Sequence, residues 1–555
     1  MPEQQLPVWA DPAVSPAALD AQGVSRRHLM RRAGLFGAAF ALGGAAAPAA
    51  AATGRGHGGE DPRLAYLVGD HHVHSVYSHD AKYTFSQQAR AAARYGLDWM
   101  VFNEHANFGH ASFGAALEHE EILKARAENP RQLIFQGLEW YIPAAEHCTV
   151  FAAPGPHEAD LLTKFELAYD GKLLGYTEGA AGAADTARNE AHAVKAIMWL
   201  AEQCRTGYVD DVLVLANHPL RLGIDSPHEM RAWRDAAPEI MIGMEGAPGA
   251  QGAALPGWRG ATSIRGEYEN KPSAQSWAGY PADAYLTYGG FDWATATVGG
   301  LWDSMLAEGR LFSITTNSDN HRTVFDTWKN GDWPAGQNFD TTGRLPDPVN
   351  TDTPQPGSDF WPGQFSRTHV GVTRYGYRAV MTGLREGRVW LDHGHLLDGL
   401  EVRLRREHGG GRGVTLGGRL RVRKGEKLTL EITVTSASRP NPRGILPQLA
   451  HVDVIRGAVR GAVSDRDAWR APDTRVVRTT DVSGRTGTYT LRVPVTVGDE
   501  SFYVRLRGSD GNRNGTGYLG AFVDPHAPIP HEPGNGDPWA DTWFYSNPVF
   551  VDVVG

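Results

Sequence analysis

Histidines and acids in this 555-residue chain gather at one kind of place, directly after short apolar runs. The run at 64–68 is followed by Asp70-His71-His72-Val73-His74, then by Ser78-His79-Asp80. The run at 97–102 leads into Asn103-Glu104-His105. The run at 132–138 leads into Glu139, with His147 just ahead of a fourth run at 149–152. The run at 212–216 ends in Asn217-His218-Pro219, and that at 311–315 leads to Ser318-Asp319-Asn320-His321-Arg322. Apolar runs without alternation suit strands covered on both faces. Between them lie helical patterns: Thr84 and Gln87 make a capping box for a helix that Gly96 stops, and 190–204 carries apolar residues at helical spacing. Strands alternating with helices predict parallel βαβ units, and their number predicts a closed barrel. The C-terminal strand ends of a barrel share one face, so these side chains are expected in one pocket.

The chemistry of that pocket follows from its residue types. Imidazoles and carboxylates without cysteine are a nitrogen/oxygen ligand set suited to Zn, Mn or Fe. His72 and His74 are two apart, which on an extended segment points both rings to one side. With two cysteines, the chain holds neither a disulfide scaffold nor a Cys-rich zinc site. Cys148, beside His147, reads as a small buried residue more readily than as a ligand, and nothing requires it to pair with Cys204. A net charge of −9 argues against a non-specific nucleic-acid binder. His110, His119, His192 and His228 fall outside the motifs and receive no role.

Three further regions stand apart. Residues 1–52 join a basic stretch at Arg26-Arg27 and Arg31-Arg32 to a short Ala/Gly-rich apolar run and small-residue cleavage choices, the layout of a secretory signal of twin-arginine type. That predicts export to the periplasm or the cell exterior, and no membrane span is expected. Residues 246–292 and 324–367 are rich in Gly, Pro, Asp, Asn and Trp, and read as insertions over the catalytic face. From 400 to 555, period-two alternation at 400–404, 428–434, 489–493, 502–506 and 548–553 predicts an antiparallel β-sandwich. The fold expectation is thus α/β: a barrel over 62–397, then a C-terminal sandwich. What the sandwich binds is not legible.

The five motifs resemble the polymerase-and-histidinol-phosphatase (PHP) family of metal-dependent phosphoesterases, over about residues 62–322 and more loosely to 397. The resemblance implies a distorted seven-stranded (β/α) barrel with two or three divalent metals. Its ligands would be His72, His74, Asp80 or His79, His105, Glu139 bridging two metals, His147, His218, Asp319 and His321. Glu139, His218 and Asp319 would carry the catalytic roles. Glu104 stands where the family has Asp and is expected behind the ligands, as is Asp70 behind His72. The implied activity is hydrolysis of a small-molecule phosphate ester by hydroxide formed at metal-lowered pKa. Arg221 and Arg322 closely follow motif residues and are candidates either to bind the phosphate or to form surface ion pairs. The segment 375–391, with 383–391 as its core, resembles the barrel end of exported members. These include a group similar to carbaryl hydrolases, which makes a carbamate or carboxyl ester the alternative substrate. A secreted binding protein with the barrel as scaffold is a second alternative, and would need an incomplete ligand set. Trp140, Tyr141, Trp277 and Trp293 are candidates for core packing or for walls of a substrate pocket.

Overall fold

The computed structural model describes residues 64–554 except 176–185, 256–264, 269–270, 322–325, 331–332, 347, 356–358, 409–410 and 512–536. The expected signal segment and Arg322 lie outside the described residues.

The apolar runs form strands of one large sheet. β1 (Ala65–Val73), β2 (Trp99–His105) and β3 (Leu133–Tyr141) are parallel neighbours; β4 (His147–Ala152) and β5 (Val212–Ala216) follow. β5, β6 (Met241–Ala247) and β7 (Ser313–Thr316) are again parallel. Every residue of β2, β4, β5, β6 and β7 is buried, as their unbroken apolar character requires. Helices α1 (Phe85–Arg94), α2 (Ala115–Glu128), α3 (Glu158–Tyr169), α4 (Thr186–Arg205) and α5 (Pro227–Ala236) lie between them. α1 opens on the Thr84–Gln87 capping box, and Gly96 follows with φ +81°. α5 opens on a second capping box, Ser226 with Glu229, with proline at the first turn.

One expected direction is corrected. β4 runs antiparallel to both β3 and β5. The five residues 142–146 are too few for the crossover a parallel neighbour needs, so the chain makes a hairpin, with Ala144 at φ +60°. Because β4 is reversed, its first residue, His147, lies level with the C-terminal ends of its neighbours.

On the other side of β1 come β8 (Ser366–Val372) and β9 (Val389–His393), both antiparallel, with α7 (Tyr377–Arg385) packed on β8; α6 (Leu301–Leu306) precedes β7 in the chain. Among the described residues the strand ladder does not close from β7 to β1. A single parallel bridge, Val73 with Asn320, spans the gap, and the His74 N–H donates to the Asn320 carbonyl at 3.0 Å. Thr316 and Thr368 exchange hydrogen bonds of 2.9 and 2.7 Å beside it.

Beyond residue 396 come β10 (Leu397–Arg406), β11 (Arg419–Arg423), β12 (Lys427–Ser436), β13 (His451–Ala458), β14 (Arg475–Asp481), β15 (Thr488–Thr496), β16 (Phe502–Ser509), β17 (Trp543–Ser546) and β18 (Val549–Val554). β10, β12 and β15 form a separate antiparallel sheet. The others extend the large sheet, and Val402, Ile432, Val454 and Val504 from both sheets share one apolar cluster. This region is not wholly antiparallel as expected: β11 pairs parallel with β18. Nor does the sheet break near residue 400, because β9 pairs with β17, placing Leu391 opposite Tyr545. The two regions are also joined by a buried ion pair, Asp303 on α6 with Arg505 on β16, at 2.8 and 2.7 Å.

Both long insertions touch the loop after β7. The Ala250 N–H donates to the Ser318 carbonyl, and Gly249 lies so close that an added Cβ would fall 2.2 Å from the Asp319 Cβ. The Asp359 carboxylate accepts the His321 N–H at 2.6 Å, and the Phe360 carbonyl accepts the Asn320 side chain.

Candidate metal centre

Glu139, near the end of β3, stands at the middle of the site. Its Oε1 lies 2.8 Å from His147 Nδ1, 3.2 Å from His218 Nε2 and 3.3 Å from His72 Nε2. Its Oε2 lies 2.8 Å from His105 Nδ1 and 3.4 Å from His74 Nε2. Asp319 Oδ1 is 3.2 Å from both His72 Nε2 and His74 Nε2, and 3.5 Å from His321 Nδ1. Strand geometry explains the convergence. β1, β2, β3, β5 and β7 deliver their C-terminal ends to one face, and reversed β4 delivers its start. Two of these residues hold backbone angles that only glycine adopts freely: His218 at φ +27° and Asp319 at φ +48°. Such angles cost on the order of 1–3 kcal/mol each and collect at functional sites.

The structure separates His79 from Asp80. Asp80 Oδ1 lies 3.5 Å from both His105 Nε2 and His321 Nε2. His79 stands at the rim, with Nε2 3.8 Å from Asp80 Oδ2 and its ring 5.1 Å from that of His105. Asp70 stands behind His72, at its backbone. Its carboxylate accepts the backbone N–H groups of His72 and Ser318, at 3.1 and 3.0 Å, and so braces the chain rather than the His72 ring. The ring is held by Glu245, whose Oε1 is 2.7 Å from His72 Nδ1. Glu104 acts as expected from behind. It accepts the Ser75 and Ser78 hydroxyls, each at 2.6 Å, and Ser78 Oγ is 2.9 Å from His74 Nδ1.

These contacts assign protons. The Ser78 hydroxyl gives its hydrogen to Glu104, so its oxygen accepts from His74 Nδ1–H and leaves the His74 Nε2 lone pair facing the centre. His72 Nδ1–H donates to Glu245 with the same result. His321 Nδ1–H donates to the Asp319 carbonyl at 3.0 Å, leaving Nε2 toward His105 Nε2, 3.1 Å away. His72 Nε2 and His74 Nε2 face each other at 3.0 Å.

Burial works against charge here, but the neighbours decide. Burial would raise the Glu139 carboxyl; the imidazoles of His147, His72 and His105 hold it well below the usual range. Asp319 is held down against burial by His72 and His321. Burial would lower His105, but Asp80 and Glu139 push it up to about 10. Burial together with the neighbouring His321 and His105 keeps His74 well below its ordinary value. Burial would lower His72, but Asp319, Glu139 and Glu245 hold it well above its ordinary value.

A cation fits this arrangement. Nitrogen and oxygen atoms bound to one ion at about 2.1 Å stand roughly 3.0–3.4 Å apart, which is the spacing seen between Glu139, Asp319 and the facing imidazoles. Glu139 Oε2, Asp319 Oδ1 and His218 Nδ1 are buried without a hydrogen-bond partner, although His105 Nδ1 lies close to the first. Among the described residues four triads bring their ligand atoms together: His74, His105 and His321; His72, His74 and Glu139; His105, Glu139 and His147; Glu146, His147 and His218.

Glu146 and Glu245 are the residues sequence reasoning missed. Glu146, in the β3–β4 hairpin, takes Arg221 through contacts of 3.3 and 3.1 Å and lies 3.5 Å from His218 Nδ1. Arg221 therefore stands at the site but is ion-paired. Tyr141 flanks the centre, its ring 4.2 Å from that of His147, whereas Trp140 and Trp293 are buried in the core and Trp277 packs against it. Cys148 is buried, and both cysteines are free. His110 is buried between Glu118 and Glu166, at 2.9 and 2.8 Å. Solvent reaches the group at Asp80, Arg221, Asp319 and His321, whose side chains are 46%, 32%, 21% and 19% exposed; His72, His74 and Glu139 form the floor.

No family model matches the chain, and no curated protein matches it. Among solved structures it is similar to a two-domain protein from Bacteroides vulgatus containing a predicted PHP-like metal-dependent phosphoesterase, with 14% identity over 81% of this chain and 93% of that one and a TM-score of 0.30. It is also similar to a lesion-specific endonuclease from Pyrococcus furiosus, with 11% identity over 58% of this chain and 56% of that one and a TM-score of 0.28.

Proposed function

We propose that this chain is a metal-dependent hydrolase of phosphate esters, holding two or three divalent cations among His72, His74, Asp80, His105, Glu139, His147, His218, Asp319 and His321. One observation carries the reading: the two oxygens of Glu139 face different sets of imidazoles, so one carboxylate can serve two ions. Divalent cations so held lower the pKa of water and stabilise negative charge at the reacting centre. The chain's own part is orientation. Glu245 and the Ser78–Glu104 pair aim His72 and His74, and the buried floor excludes bulk water beneath the centre. The half-exposed Asp80 and Arg221 mark the side from which a small-molecule ester enters, beside the ring of Tyr141.

The same reading takes residues 1–52 as a twin-arginine export signal, the strands to residue 397 as a distorted barrel and those beyond as a sandwich. Among the described residues no helix is long and apolar enough to cross a membrane.

A second substrate class is favoured by one contact. Glu146 already neutralises Arg221, and a paired guanidinium suits a neutral carbamate or carboxyl ester better than a phosphate dianion. Purified protein loaded with Zn or Mn and offered a phosphomonoester, a phosphodiester and an aryl carbamate decides between them. The expected result is chelator-sensitive release of phosphate or alcohol from a phosphate ester. Turnover of the carbamate alone would overturn the phosphoester reading, and turnover insensitive to chelator would overturn the metal reading.

A further inference from the structure

Glu245 lies near the end of β6 and is fully buried. Its two oxygens are divided between two site residues. Oε1 is 2.7 Å from His72 Nδ1, and Oε2 accepts the backbone N–H of His218, also at 2.7 Å. His72 belongs to the triad with His74 and Glu139, and His218 to the triad with His147 and Glu146. One carboxylate therefore reaches both halves of the centre from behind.

We propose that Glu245 is a positioning residue that couples the two ion positions: it fixes the tautomer of His72 and holds His218 in its unusual backbone conformation. This rests on the metal-centre reading. Each oxygen has a distinct task. His72 can offer Nε2 to a cation only if its proton sits on Nδ1, and Glu245 Oε1 is the acceptor that keeps it there. His218 stands at φ +27°, and the hydrogen bond from its N–H to Oε2 restrains the peptide in that angle. Since an ionised carboxylate only accepts, a single Glu satisfies two N–H donors that converge on it.

An amide cannot do both. In Glu245→Gln the side-chain carbonyl can accept the His218 N–H, whose proton is fixed. The NH2 then faces His72 Nδ1, which must become the acceptor, and the proton moves to Nε2, the atom aimed at Glu139 and Asp319. Glu245→Ala removes both restraints. The Gln variant is thus expected to weaken one ion position, and the Ala variant both.

Ion binding and histidine protonation, rather than turnover, test this. Wild type, Glu245→Gln and Glu245→Ala are titrated with Zn and analysed for bound metal per chain. The tautomer of His72 in the zinc-loaded wild type is read from imidazole nitrogen NMR, assigned with His72→Gln. Expected are a 10- to 100-fold loss of affinity for one ion in the Gln variant, weaker binding of a further ion in the Ala variant, and a proton on Nδ1 of His72 in the wild type. A Gln variant that binds Zn as the wild type does overturns the proposal and leaves the metal reading standing. So does a proton on Nε2 of His72, a measurement on the wild type that does not depend on either variant folding. Wild type that binds no Zn overturns both.

Discussion

His105 Nε2 and His321 Nε2 face each other at 3.1 Å, with Asp80 Oδ1 3.5 Å from each. They come from β2 and from the loop after β7, 216 positions apart. Two imidazole nitrogens at this distance attract only through a shared proton or a shared cation. Removing cations should therefore loosen the whole face. Incubation with EDTA is expected to lower the thermal midpoint, and Zn or Mn added back to restore it, with about 2.7 kcal/mol of stabilisation at a hundredfold excess over Kd. Melting curves with and without chelator check this; identical midpoints would contradict it.

Replacing Glu139 tests the shared carboxylate. Glu139→Gln keeps the volume but removes the charge that holds five imidazoles, while Glu139→Ala removes the oxygens as well. Bound metal per chain is expected to fall in both, and ester turnover to fall by at least about a hundredfold, since the electrostatic stabilisation is lost. His79→Gln, at a rim residue that belongs to none of the ligand triads, is expected to change metal content little. Elemental analysis and initial rates on the three variants check the contrast.

The histidine motifs were legible because their spacing is local. His72 and His74 need only a strand, and Asn217-His218-Pro219 needs only a strand end. Glu245 gave no such signal, because its partners lie 173 and 27 positions away. A clue was present all the same. Glu245 directly follows the apolar run at 240–244, as Glu139 terminates the run at 132–138. The direction of β4 was hidden for another reason: apolar runs carry no arrow, and only the short connection at 142–146 betrayed the hairpin. The continuity of β9 with β17 pairs Leu391 with Tyr545, 154 positions apart in sequence, which no local pattern encodes.

Asp303 and Arg505 give a stability test remote from the metal centre. Both are fully buried and bidentate, and the guanidinium lies 4.6 Å from the Trp302 ring. Arg505→Met leaves Asp303 charged, with the Tyr503 hydroxyl and the Gly299 N–H as its remaining partners, and is expected to cost about 3–5 kcal/mol. The double variant Arg505→Met, Asp303→Leu is expected to recover most of that loss, because a buried pair and its apolar replacement are often close in energy. Urea unfolding of the two single variants and the double variant checks it; additive losses would show that the pair is not coupled.

Asp170 predicts a pH dependence with a definite sign. Burial, reinforced by nearby Glu166, pushes its carboxyl up to about 8, although it accepts the Leu173 and Tyr141 N–H groups at 2.9 and 3.1 Å. The folded state therefore holds a proton that the unfolded chain, with an ordinary carboxyl near about 3.9, has already released. Where the native state binds more protons, stability falls as pH rises. The contribution is greatest below pH ~4, declines by about 1.4 kcal/mol per unit, and is gone above about 8. Asp170→Asn carries no proton to lose. The wild type should thus be favoured over this variant most at pH 5 and least at pH 8.5, and urea unfolding of both proteins at those two values measures the difference. A gap that stays constant or widens toward high pH would show that Asp170 is ionised in the fold.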